Sequence, residues 1–263
     1  MLSLPIKSET ADNFVTIAAI GLVAYASADI AHHAFGHGAA CLMLGGRIRS
    51  LSSIFVDCSL SGAAIDLAGP FANLALGLAA ILAARFATRA STSARLFLIL
   101  TAAFNLLWLE LQLLFSAATR TDDWAWPMHQ FRVMEPGRYG MIAMSILAYL
   151  ITVRAIAVLM APFASPRTRA MTIVGIAWLT AGAIACATAA FDHNAAPAVL
   201  RHAVPQSLLV SIGLLFVPST AARLSSLVEG GAAVEYSLHW VVVAAIIGVA
   251  SILFLGPGIA IAI

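Results

Sequence analysis

Apolar runs about as long as a bilayer is thick recur from one end of this 263-residue chain to the other, and they dictate its fold class. A hydrocarbon core of about 30 Å takes roughly 20 residues of helix to cross. Inside lipid a backbone must satisfy its own hydrogen bonds, so helices and closed barrels are the only spanning structures. The runs read Phe14 to Leu44, Ala63 to Ala84, Leu96 to Ala118, Met141 to Ala161, Met171 to Ala190, Val204 to Val217 and Leu238 to Phe254. The sixth is short and bracketed by Pro205 and Pro218, which predicts a tilted or re-entrant segment. The expectation is an all-α polytopic membrane protein with six or seven transmembrane helices. Charged residues make up only 10% of the chain, against about 25% in soluble domains, which excludes a soluble fold.

The remaining segments divide the chain. Residues 1–13 are polar, with no basic stretch leading into a short apolar one, so a cleaved signal peptide is not expected. Residues 14–137 form a membrane core, and residues 138–263 add further spans without an assignable motif. Between the first two spans, Arg47 to Ser61 has spacing compatible with a small hairpin, although so few residues make no stable sheet alone. Cys41, Cys58 and Cys186 follow no CxxC spacing, so neither a disulfide framework nor a thiolate metal site is expected. A net charge of +2 without a basic run excludes a nucleic-acid partner.

Chemistry concentrates in the first span, where Asp29-Ile-Ala-His32-His33-Ala34-Phe35-Gly36-His37 interrupts an apolar helix. Ionisable groups inside a membrane are costly and face a partner or a cavity. His33 and His37 are four apart, so in an α-helix their imidazoles share one face and can share a metal. Asp29 lies one turn before His33, about 6 Å of rise away, where it can accept the hydrogen of the ring nitrogen that a metal leaves unused. The competing reading is that these histidines hydrogen-bond neighbouring helices.

His33-Ala34-Phe35-Gly36-His37 resembles the HExxH motif of the site-2 protease family of intramembrane zinc metallopeptidases. The exit Leu44-Gly45-Gly46-Arg47 is similar to the family's glycine-rich exit. Ala68-Gly69-Pro70-Phe71-Ala72-Asn73 resembles its GPxxN element, and Thr121-Asp122-Asp123-Trp124 its Gly-Asp-Trp-like element. The resemblance implies Zn2+ held by His33, His37 and Asp123, with Asp122 as the alternative carboxylate. Asp29 and Asn73 would stand behind these ligands. It further implies transmembrane or membrane-proximal peptide segments as partners, and a bacterial inner membrane as the location.

One departure matters. Position 34 is alanine where the family has the glutamate that moves protons during hydrolysis. The chain is therefore expected to be inactive as written, whether as a disabled variant or as a natural pseudoprotease. Glu110, in the third span, is the candidate for a substitute base, with a satisfied hydrogen bond between helices as its ordinary reading. Two other classes stand beside this one. The chain would be a non-catalytic accessory or scaffold subunit of a larger membrane complex, or a haem- or quinone-binding protein with His239 opposite the first-span histidines.

Overall fold

The computed structural model describes residues 11–87, 89–225 and 233–260. Most of the polar N-terminal segment therefore lies outside the described residues. Among the described residues, seven helices are long and apolar enough to cross a membrane: α1 (Phe14–Met43), α2 (Ala63–Phe86), α3 (Thr92–Thr119), α5 (Glu135–Phe163), α6 (Arg167–Ala189), α7 (Ala195–Ser225) and α8 (Leu238–Leu255). A short helix, α4 (Ala125–Gln130), follows α3. This is an all-α polytopic membrane protein.

The sixth span, α7, comes from the stretch expected to be a short, tilted or re-entrant segment. Pro205 and Pro218 do not bracket α7 but lie within it. Wide π-type turns at Val199–Ala203 and Pro205–Leu209, then a tight 3-10 stretch at Ile212–Phe216, absorb the hydrogen bonds that an α-helix loses at proline.

Helix α1 sits at the centre, packing against α2, α3, α6 and α8. Asn13 starts it, its side-chain oxygen accepting the Thr16 N–H at 2.9 Å, which satisfies one of the unpaired amides of a first turn. The core joins Ile17, Ile20 and Tyr25 of α1 to Leu100, Phe104 and Trp108 of α3 and to Ile173 and Val174 of α6. Helices α1 and α3 are buried over most of their length, whereas α5 and α8 are largely exposed. That division is why the charged and polar side chains of the first span and of α3 can be satisfied: these two most buried spans have protein on several sides.

After α1 comes a hairpin of β1 (Ile48–Leu51) and β2 (Val56–Cys58), antiparallel with Leu51 opposite Val56. It does not stand alone. β3 (Ile259–Ala260) pairs antiparallel with β1, giving the order β2-β1-β3. Cys41 and Cys58 form a disulfide, contrary to the expectation from spacing. A side chain at Gly46 would lie 2.8 and 2.9 Å from the two sulfurs, so glycine there lets the turn close over the bridge. Both hairpin strands pack on the second half of α1, where the histidines lie.

Candidate metal centre

The histidine segment of α1 is not an α-helix. Ala31–Gly38 forms a π-turn, whose hydrogen bonds run from residue i to i+5. Its wider turn brings residues five apart onto the same side as those four apart, and it is His32, not His33, whose Nε2 meets that of His37. The two Nε2 atoms lie 3.1 Å apart. Asp123 Oδ2 stands 2.9 Å from His32 Nε2 and 3.1 Å from His37 Nε2. These three atoms form a group able to hold a metal ion. Donors about 2.0–2.1 Å from a tetrahedral ion stand about 3.3–3.4 Å apart, so the three are within a few tenths of an ångström of the required edges.

The carboxylate reaches this point through backbone turns. α3 ends with Arg120 in the left-handed conformation, and Asp122 is left-handed as well, with φ of 60° and 70°. Such φ values are uncommon outside glycine and occur where a side chain must be aimed. Gln112 Nε2 donates to Asp123 Oδ2 at 2.8 Å, and the Trp124 ring packs on Phe71 of α2 at 6.2 Å. Gln130 Oε1 accepts the Ala63 N–H at 3.2 Å, tying α4 to the start of α2. Burial opposes ionisation of Asp123, but the hydrogen bonds and charges of His32 and His37 outweigh it and hold the carboxyl below its usual range. The group is thus an anion at neutral pH, as a ligand must be.

The imidazoles are fixed from behind. The Ile65 carbonyl accepts from His37 Nδ1 at 2.8 Å, which fixes the ring with Nε2 facing the group. The His32 ring stacks on Trp108, centroids 4.9 Å apart and planes within 16°. Its Nδ1 has no partner among the described residues. Space for the rings comes from small residues. A side chain at Gly69 would lie 2.4 Å from His37 Nε2, and one at Gly36 would lie 2.4 Å from the Gly69 Cα. The α1–α2 contact therefore requires glycine on both helices, as small-residue contacts between membrane helices commonly do.

Of the residues expected from sequence, His37 and Asp123 join the group and His33 does not. His33 Nδ1 lies 3.1 Å from Asp29 Oδ1, the contact expected for it, but the ring stands beside the group rather than in it. Its centroid is 4.9 Å from that of His32 and 6.2 Å from that of His37. The wider turn admits His32, five positions before His37, while the Asp29 contact holds the His33 ring aside. Asp122 stays outside the group and lines a neighbouring cavity instead. Glu110 is turned away. Its Oε1 accepts from Thr152 of α5 at 2.5 Å, while Trp108 and Gln112, two residues to either side, face the histidines and Asp123. That is the interhelical hydrogen bond of its ordinary reading. Asn73 lies one turn past Gly69, fully buried, with neither amide atom paired among the described residues. Ala34 is next to His33 but, with His32 in the group, no longer follows its first histidine. His239 contacts Trp240 near the start of α8, away from the first-span histidines, which gives a haem ligand pair no support. Sequence reasoning missed His32, Trp108 and Gln112; the one available signal was that His32 is five residues before His37.

Fold and site together define a seven-span membrane protein in which two buried histidines and one half-buried aspartate converge, set between the two central helices and the loop after α3. No protein-family model, curated protein or solved structure matches the chain.

Proposed function

We propose that this chain is an intramembrane zinc protein of site-2 protease type, acting on transmembrane or membrane-proximal peptide segments in a bacterial inner membrane. The observation that carries this reading is the convergence of His32 Nε2 and His37 Nε2, on an otherwise apolar span, with Asp123 Oδ2 from the loop after α3, each within 3.1 Å of the others. Two imidazoles and a carboxylate are a catalytic-type set, which leaves a coordination position free, whereas structural sites use four protein ligands. Zinc in such a set supplies Lewis acidity for attack on a carbonyl.

The chain's own residues supply the rest. With His32 as first ligand, the residue after it is His33, not Ala34, so an imidazole stands where the family has glutamate. Asp29 holds His33 at Nδ1, which leaves Nε2 to take and return a proton. Burial of His33 and Asp29 keeps bulk water from competing for that proton. Gln112 and Trp108 orient Asp123 and His32.

The test is cleavage of a membrane-embedded peptide by the native chain and by His33→Gln, each with and without a chelator. Chelator-sensitive cleavage that falls by about 10²–10⁴ in His33→Gln is expected for a lost general base. Cleavage that appears only in Ala34→Glu would restore the α-helical alignment of the motif and make the native chain a pseudoprotease.

A further inference from the structure

A small cavity of about 10 Å³ lies beside Asp29, where α1, α6, α8 and the loop between β1 and β2 meet. We infer that it holds one sodium ion, stripped of its water, on the second carboxylate oxygen of Asp29 and the hydroxyls of Tyr25, Thr188 and Ser251. None of these oxygens belongs to the ligand set of the metal centre.

Three observations carry it. The first is a set of buried oxygens that the fold leaves unused. Asp29, Tyr25, Thr188 and Ser251 line the cavity and are only 6%, 5%, 2% and 9% exposed. Asp29 Oδ1 takes the contact with His33 Nδ1, while Oδ2 has no hydrogen bond among the described residues. The three hydroxyls have none there either. Other hydroxyls in these spans return to their own helix, as Thr180 does to the Ile176 carbonyl and Ser207 to that of Ala203. Nor are the four oxygens sealed from a water-sized sphere, as the Asn73 amide is. Oxygens neither bonded nor sealed face open space, and the space their residues share is this cavity.

The second observation is charge and size. The lining has one carboxyl and no Lys, Arg or His. A carboxylate inside a membrane span is costly without a positive partner. Room for about one water-sized sphere excludes organic cations and admits an ion only without its hydration shell. Oxygen donors select hard cations, and one carboxylate among neutral hydroxyls balances a single charge. Mg2+ would keep several waters that do not fit, and Ca2+ takes six to eight oxygens. Sodium is the smaller of the two abundant monovalent ions.

The third is the backbone around the cavity. Ser251 opens a π-turn, Ser251–Leu255, at the end of α8, and such turns concentrate at functional sites. Gly256 follows it, where a side chain would lie 2.7 Å from the Thr188 carbonyl oxygen. Glycine there lets α8 approach α6 closely enough for the Ser251 and Thr188 hydroxyls to reach one space. The Ser53 N–H donates to the Leu255 carbonyl at 3.2 Å, which lays the hairpin loop over the cavity.

The experiment is equilibrium binding of radioactive sodium to the full chain in detergent, after incubation with Zn2+, with choline as the background cation. One saturable sodium ion per chain is expected, displaced poorly by potassium and not removed by a chelator that takes the zinc. Thr188→Val and Ser251→Ala, each deleting one hydroxyl, should weaken binding at least about tenfold, as for one lost contact to a charged group. Asp29→Asn should abolish it. Zinc content and the unfolding midpoint in choline should stay unchanged in the Thr188 and Ser251 variants, which shows them folded. Lack of saturable sodium binding, as for a cavity that takes only a water, would overturn the inference. So would equal affinity in both hydroxyl variants and the native chain. Sodium binding by a chain that holds no zinc would leave this site standing and remove the metal-centre reading instead.

Discussion

Helices α1 and α7 are both interrupted by π-turns inside the membrane, and the two interruptions have opposite surroundings. In α1 the turn is enclosed: His32, His33, Gly36 and His37 are buried, with α2, α3 and the hairpin against them. In α7 the turns leave Leu200 and Leu209 exposed and face a cavity. A widened turn packed against backbone fixes which side chains line up. The same irregularity with a cavity beside it makes room. The backbone feature does not decide the role; what packs on it does.

Substitution at the two glycine contacts tests that contrast, and gives the largest expected effect. Gly36→Leu would drive a side chain into the Gly69 Cα, an atom that cannot rotate away. It should cost at least about 3 kcal/mol and abolish metal binding, measured by thermal unfolding in detergent and by metal content. Gly182→Ala, in α6, meets Leu208 Cδ2 of α7 at 2.4 Å, the movable end of a side chain. A cost of about 1 kcal/mol or less is expected. Equal losses at the two sites would break the comparison.

The disulfide sharpens it further, because Cys41 and Cys58 fasten the hairpin beside the α1 turn across 17 residues, whereas α7 has no such fastening. Cys58→Ser should lower stability by about 2–3 kcal/mol, as expected for a loop of this length. Proteolysis between β1 and β2 would speed up. A hairpin equally resistant in reductant would show that β3 and packing suffice.

A smaller effect is expected at the far end of α1, where Arg169 donates to Asp12 from Nε at 2.7 Å and Nη2 at 2.9 Å. Burial works against the Asp12 charge, but the Arg169 hydrogen bonds, the Val234 N–H and the Arg169 charge outweigh it, so the carboxyl stays below its ordinary 3.8. A depressed folded value means this stabilisation is present above 3.8 and is lost as pH falls through the folded value. Asp12→Asn should therefore cost about 1–2 kcal/mol at neutral pH and progressively less in acid, read from unfolding midpoints across pH. A cost that does not change with pH would mean that the carboxyl's charge contributes nothing.

Much of this architecture is legible in the sequence because membrane spans announce themselves by length and hydropathy. The spans from Phe14, Ala63 and Leu238 begin at the residues expected of them. Where legibility failed, the backbone left the α-helical period. α7 looked too short because its prolines read as ends, and its π and 3-10 turns leave no periodic trace. His33 looked like the ligand because positions four apart share a face of an α-helix and positions five apart do not, and nothing in Ala31–Gly38 announces the wider turn that admits His32. The structure brings His37 to Asp123 and Asp29 to His33, where residue type and local proximity, not a long register, led the sequence to expect them. The Cys41–Cys58 bridge and the third strand were hidden because both depend on how distant segments meet.

The central claim is that the π-turn makes His32, and not His33, a ligand. Purified His32→Ala and His33→Ala proteins should be loaded with Zn2+, dialysed and compared for metal content. His32→Ala is expected to lose the ion. His33→Ala should keep about one per chain, at an affinity reduced by no more than the ~10–100-fold of a supporting residue. Retention by His32→Ala with loss in His33→Ala would mean that α1 is α-helical at its histidines, and would overturn the ligand set.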